Sequence, residues 1–85
     1  MGELAKCKNI GKAVEYQLNQ AGISTVAQLK EIGAEHAWLK IQNFDSSACA
    51  SRLYALEGAI LDLRKADLPF ERKAELKQFY DEHKL

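Results

Sequence analysis

Apolar residues recur along this chain at intervals of three and four, and nowhere alternate long enough to suggest a strand. That periodicity predicts helices nearly throughout. Gly11, Gly22 and Gly33 punctuate the first part, each closing a short segment. The spacing predicts a short turn around Glu3 to Cys7, then a helix from about Lys12 to Gln20 with Val14, Leu18 and Ala21 on one face. Gly22 ends it, because glycine accepts the left-handed conformation after a helix at least cost. The next helix starts at Thr25, which stands three residues before Gln28 in capping-box spacing, and stops at Gly33. Ala34, Ala37, Trp38 and Ile41 form the stripe of a helix over about 34–43. Asp45-Ser46-Ser47 supplies N-cap chemistry for the longest and central helix, over about 46–65. Leu53, Leu56, Ile60 and Leu63 line one face of it, and Tyr54, Ala55 and Leu61 broaden that face. Leu68-Pro69 then breaks the chain, and a last helix over about 70–83 turns Leu76, Phe79 and Tyr80 inward. The expectation is an all-α domain of five or six helices, one unit covering residues 1–85.

Composition sharpens this in three ways. The apolar fraction is 47% with seven aromatic residues, which favours a folded core over disorder. Lys plus Arg and Asp plus Glu each number 12, so any contact with a polyanion must be local. Residues 1–30 hold Lys6, Lys8, Lys12 and Lys30 against Glu3 and Glu15, which tips the charge positive at that end. Cys7 and Cys49 are far apart, form no CxxC pair and follow no signal peptide, which points to free thiols and a reducing cytoplasm. Each is expected to fill the core as a small side chain. No apolar run is long enough to span a bilayer.

Candidate chemistry concentrates in residues 3–31. Leu4, Asn9-Ile10-Gly11, Leu18 and Gly22-Ile23-Ser24-Thr25-Val26 outline a helix-hairpin-helix, two helical segments joined by a tight turn. Ile10 is expected to plug inward, while Asn9 and Gly11 are expected to tolerate unusual backbone angles. The N–H groups of Gly11, Lys12 and Ala13 then face outward from a helix N-terminus, where the helix dipole favours an anion. On DNA such a site holds a phosphate without reading bases. The candidate nucleic-acid-binding residues are therefore Asn9, Ile10, Gly11, Lys12 and Ala13. A purely structural hairpin uses the same pattern.

Elsewhere the residues read as structural. His36 and His83 are isolated, and no cluster has metal-ligand spacing. Glu57 lies close to the apolar face of the central helix and needs a partner if buried, with Arg52 and Arg64 the candidates by sequence position. Ala55, Gly58 and Ala59 make a small-residue patch that admits a close neighbour from this chain or a second copy. No nucleophile–base pair, cofactor fingerprint or small-molecule site stands out, so the expectation is a non-enzyme without cofactors.

The chain resembles the C-terminal domain of the TfoX/Sxy family, bacterial regulators of DNA-uptake competence. The resemblance is carried by Asn9-Ile10-Gly11, Gly22-Ile23-Ser24-Thr25-Val26, Gly33-Ala34-Glu35, Ala37-Trp38-Leu39, Leu53 to Ile60, and Leu68-Pro69 followed by Leu76 and Phe79-Tyr80. The run Leu53-Tyr54-Ala55-Leu56-Glu57-Gly58-Ala59 is its most specific element. The resemblance implies an all-α domain with a helix-hairpin-helix-like start. It also implies a part in regulating competence genes through DNA or another transcriptional regulator. The family turn often continues with Pro and then Lys, whereas Lys12 directly follows Gly11 here. The chain is expected to be a stand-alone copy of that domain. The alternative expectation is a protein-interaction module, a homodimer being one form, in which the hairpin only packs helices.

Overall fold

In the computed structural model, which describes residues 3–46 and 48–84, the periodic segments form five α-helices and two 3-10 turns, with no strand among those residues. The helices are α1 (Lys12–Gln20), α2 (Val26–Ile32), α3 (Ala34–Gln42), α4 (Ala50–Leu61) and α5 (Phe70–His83). The 3-10 turns are Glu3–Lys6 and Lys65–Asp67.

Local signals end most helices where the pattern predicts. After α1, Gly22 takes φ +88° and a paired C-terminal cap forms, with Ile23 N–H donating to Leu18 C=O at 2.8 Å and Gly22 N–H to Asn19 C=O at 3.0 Å. At α2, Thr25 Oγ1 accepts from Gln28 N–H at 3.1 Å while the Gln28 side chain accepts from the backbone of Ser24 and Thr25, completing the capping box. The core gathers Leu4, Ile10, Leu18, Leu29, Ala34, Ala37, Trp38, Ile41, Leu53, Leu56 and Leu76. Trp38 is fully buried, its indole N–H donates to Cys49 C=O at 3.1 Å, and Phe79 and Tyr80 of α5 pack edge-on to its ring. The inward turn of Leu76, Phe79 and Tyr80 is thereby met, with Leu76 buried and the two rings half-buried.

The central helix departs from expectation at both ends. It starts at Ala50, not near Ser46, with Cys49 at the N-cap and no side-chain cap hydrogen bond. Asp45 accepts from Gln17 Nε2 at 2.7 Å and pairs with Arg52 at 3.0 Å, tying this stretch to α1 and α4; Ser47 lies outside the described residues. Cys49 is consequently exposed and fills no core space, whereas Cys7 is half-buried against the core. The helix stops at Leu61, short of 65, because Asp62 turns left-handed at φ 60°, ψ 42°. Leu63 N–H then donates back to Gly58 C=O at 2.8 Å, the same six-to-one cap that closes α1 but with an aspartate where glycine is usual. At 14 residues, α5 is longer than α4 at 12. Burial still makes α4 central, since Leu53, Ala55, Leu56, Glu57, Gly58 and Ala59 are all buried.

Two neighbouring residues of α4 carry its polar contacts. Glu57, 7% exposed, does not pair with Arg52 or Arg64. Its partner is Arg72 of α5, which donates from Nε to Oε2 at 2.9 Å and from Nη2 to Oε1 at 3.1 Å. The same guanidinium bonds Glu35 of α3 at 2.9 Å, so one cation joins three helices. Arg52 goes to Asp45 and Gln17, and Arg64 to Asp67. Sequence neighbourhood favours Arg52 and Arg64, but α5 brings Arg72 to the Glu57 carboxylate.

The small-residue patch is filled from within the chain. A Cβ on Gly58 would collide with the side-chain amide of Asn9 and would lie 2.6 Å from Leu63 O. Asn9, left-handed at φ 71°, donates from Nδ2 to Leu63 C=O at 2.8 Å and accepts on Oδ1 from Lys65 N–H at 3.2 Å. Beside it, Lys8 Nζ pairs with Asp62 at 3.1 Å. The hairpin is thus bolted to the end of α4.

Four stability tests follow from these contacts. Gly58→Ala should destabilise by about 1–3 kcal/mol in urea unfolding, although alanine is the better helix former by ~1 kcal/mol. Asn9→Gly should cost ~1–2 kcal/mol even though glycine accepts φ 71° more readily, because two hydrogen bonds are lost. A neutral outcome for either would remove the bolt from the fold's energetics. Arg72→Ala should cost roughly 2–4 kcal/mol by stranding buried Glu57, and Arg72→Met with Glu57→Gln should recover most of that. The Arg72 hydrogen bond holds the Glu35 carboxyl below its ordinary value of 4.5. Glu35 therefore adds stability above that pH and loses it as pH falls through its lowered folded value. Glu35→Gln should flatten the acid limb of a stability-against-pH profile below about pH 4.5.

Candidate nucleic-acid interface

The turn that precedes α1 is built from short-range bonds. Cys7 N–H donates to Leu4 C=O at 3.0 Å and Ile10 N–H to Cys7 C=O at 3.3 Å, so the first arm of the hairpin is a four-residue 3-10 turn. Ile10 is buried among the core residues, as the plug reading expects. Asn9 is left-handed, but Gly11 is not. It is extended at φ −100°, ψ −174°, a conformation open to any residue, and nothing lies within 4 Å of where its Cβ would stand.

Gly11 is instead the N-cap of α1, and no side-chain hydrogen bond caps that end. The opening N–H groups of a helix have no intrahelical partner. Gly11, Lys12 and Ala13 are all exposed, so the positive end of α1 faces solvent with a lysine as its first residue. The five candidates therefore divide. Ile10 and the side chain of Asn9 build the turn, and Gly11, Lys12 and Ala13 present the open helix end. Glu15, in the first turn of α1, is buried.

The fold also brings a distant segment to this place. The Asn9–Lys65 and Lys8–Asp62 contacts join positions 54 to 56 residues apart in sequence and set the segment that carries Arg64 and Lys65 against Lys8 and Asn9 of the turn. Sequence reading misses Arg64 and Lys65 as neighbours of the turn. The one local signal is Gly58, which implies a close approach to α4 without saying that Asn9 makes it.

Outside this region the chemistry is sparse. His36 Nδ1 lies 3.2 Å from Ile32 C=O, and His83 stacks on Phe79 with ring centroids 4.0 Å apart. A shallow hollow of about 540 Å³ lies between α2 and α3, lined by Ile32, His36, Leu39, Lys40, Gln42 and Asn43. No helix among the described residues is long and apolar enough to cross a membrane.

Comparison with known proteins places this geometry in a family. The TfoX C-terminal domain family matches residues 1–80. Protein Sxy of Escherichia coli (strain K12) is 34% identical over 73 residues, which cover 86% of this chain and 35% of that protein. The chain thus spans about a third of the length of this curated relative. Two crystal structures from Listeria monocytogenes share the fold. One, of an uncharacterized protein in a triclinic form, has a TM-score of 0.92 at 46% identity and covers 93% of this chain and 90% of that one. The other, of a protein of unknown function in a tetragonal form, has a TM-score of 0.91 at 46% identity and covers 93% and 96%. With the family matched over nearly its whole length and a relative 34% identical, this chain belongs to the TfoX C-terminal domain family.

Proposed function

We propose that the chain is a non-catalytic, competence-regulator-like module of the cytoplasm that touches DNA weakly through the Asn9–Ala13 turn. The observation that carries this reading is the uncapped N-terminus of α1, open to solvent with Lys12 as its first residue. The N–H groups of Gly11, Lys12 and Ala13 donate to one phosphate, and the Lys12 ammonium adds a flexible point charge. Asn9 and Ile10 hold the turn in place without touching the ligand. Contacts of this kind position a protein on the backbone and leave base identity unread.

A second reading is a protein partner, including a second copy of the chain. It is favoured by exposed aromatic rings. Tyr16 is 64% exposed and Phe44 47%, and the Gln17–Asp45 hydrogen bond sets their neighbours side by side. The patch at Ala55, Gly58 and Ala59 is buried by this chain itself, so a partner would use the Tyr16–Phe44 side. Light scattering over a concentration range separates the readings, since a strict monomer with intact DNA binding leaves the first alone.

Gly11→Asp gives the sharper test. The extended backbone and empty Cβ position accept the change, and an aspartate at the N-cap stabilises α1 by a few tenths of a kcal/mol relative to glycine. The same carboxylate occupies the anion position. Fluorescence anisotropy with a labelled duplex at low salt should show affinity reduced by about tenfold or more while thermal stability holds or rises. Undiminished binding by Gly11→Asp, or none by the unaltered protein at high concentration, would sink the reading.

A further inference from the structure

We infer that the phosphate site does not end at the hairpin but continues onto the α4–α5 connection, where Arg64 and Lys65 engage a further phosphate of the same nucleic-acid backbone. The inference rests on the proposed DNA contact and deepens it by adding residues and an internal brake.

The hydrogen bond from Lys65 N–H to Asn9 Oδ1 seats the main chain of the connection against the turn. Lys6, Lys8 and Lys12 flank the turn in sequence, and Arg64 and Lys65 sit on the connection bonded to it, in a chain whose net charge is zero. Asp62 pairs with Lys8 and Asp67 with Arg64, and Glu15 is buried in α1. All five cationic side chains belong to exposed residues. Arg64 Nε holds Asp67 at 3.0 Å and Lys65 Nζ reaches Ser51 Oγ at 2.9 Å, both at the surface. Surface pairs of this sort contribute little in water, so the cations exchange them readily for phosphate. One inorganic phosphate is satisfied by the end of α1 alone. A second cluster set beside it suits successive phosphates on one strand, and each phosphate neutralised releases counterions.

Asp62 is the brake. Its side chain is 83% exposed and pairs with Lys8, so it both neutralises one cation and repels a phosphate. Asparagine tolerates the same left-handed backbone, which allows the charge to be removed while the turn is kept.

The experiment is anisotropy of a labelled 20-base-pair duplex over ~50–200 mM salt, with inorganic phosphate as competitor. Arg64→Ala with Lys65→Ala keeps the Lys65 N–H for Asn9. It should reduce the salt slope by about 0.9 and the low-salt affinity by roughly tenfold, since each lost phosphate contact is worth a slope of ~0.9. Asp62→Asn should raise affinity by about threefold and steepen the slope, a gain that misfolding does not produce. Inorganic phosphate should compete only at concentrations far above those of duplex phosphate. If the unaltered protein binds and Gly11→Asp abolishes binding, but neither the double alanine nor Asp62→Asn changes affinity or slope, the extension is overturned and the hairpin contact stands. If the unaltered protein does not bind, both fall.

Discussion

Asn9 donates to the carbonyl of Leu63 and accepts from the amide of Lys65, so one side chain satisfies backbone groups that a reversing chain leaves open beyond α4. The geometry requires a residue that tolerates φ 71° and also carries both a donor and an acceptor. Glycine meets the first condition and aspartate offers no donor when ionised. Asparagine meets both. Its amide occupies the volume a Cβ on Gly58 would fill, which is why a residue of poor helix propensity sits inside the most buried helix. Turn, helix end and glycine are one device.

Glu57 and Gly58 are consecutive, hence about 100° apart around α4. Gly58 meets the hairpin and Glu57 meets Arg72 of α5, which also binds Glu35 of α3. The apolar face of α4 meanwhile shares the core with Trp38 and Leu76. One 12-residue helix therefore receives the hairpin, α3 and α5 on different sides. The core holds these elements together without direction, and the two polar contacts define where each sits.

What was legible in the sequence was local. The capping box at Thr25 and Gln28, the glycine after α1, and the stripe Ala34, Ala37, Trp38, Ile41 depend on residues within one or two turns, and the structure follows them. Most departures involve distant partners. The hydrophobic pattern carries the central helix to Lys65, yet Asp62 turns left-handed where Lys8 and Asn9 reach the end of α4, and a tertiary contact overrides periodicity. Glu57 finds Arg72 because α5 packs against it, a pairing that sequence neighbourhood does not encode. Gly11 has the look of a strained turn position in the motif but is an extended N-cap. At the candidate site, Ile10 and the open end of α1 were readable, whereas Arg64 and Lys65 were not, because the contact that brings them spans more than fifty residues.

That last point changes how the charge balance is weighed. A net charge of zero argues against a protein that wraps nucleic acid, and the balance in this sequence is exact in number. A phosphate at the surface, however, responds to charges within a Debye length, about 8 Å at physiological salt. The molecule measures 32 × 27 × 20 Å, so several such lengths separate its opposite sides. α5 carries Glu71, Glu75, Asp81 and Glu82 against Arg72, Lys73 and Lys77, so its own charge nearly cancels, and its tie to Glu35 and Glu57 is made through Arg72. The hairpin end carries Lys6, Lys8 and Lys12 and, through Asn9, receives Arg64 and Lys65. Folding thus joins to the hairpin cations that lie more than fifty residues away in sequence, which the overall charge count does not reveal, and the residue that joins them is the one that shapes the turn.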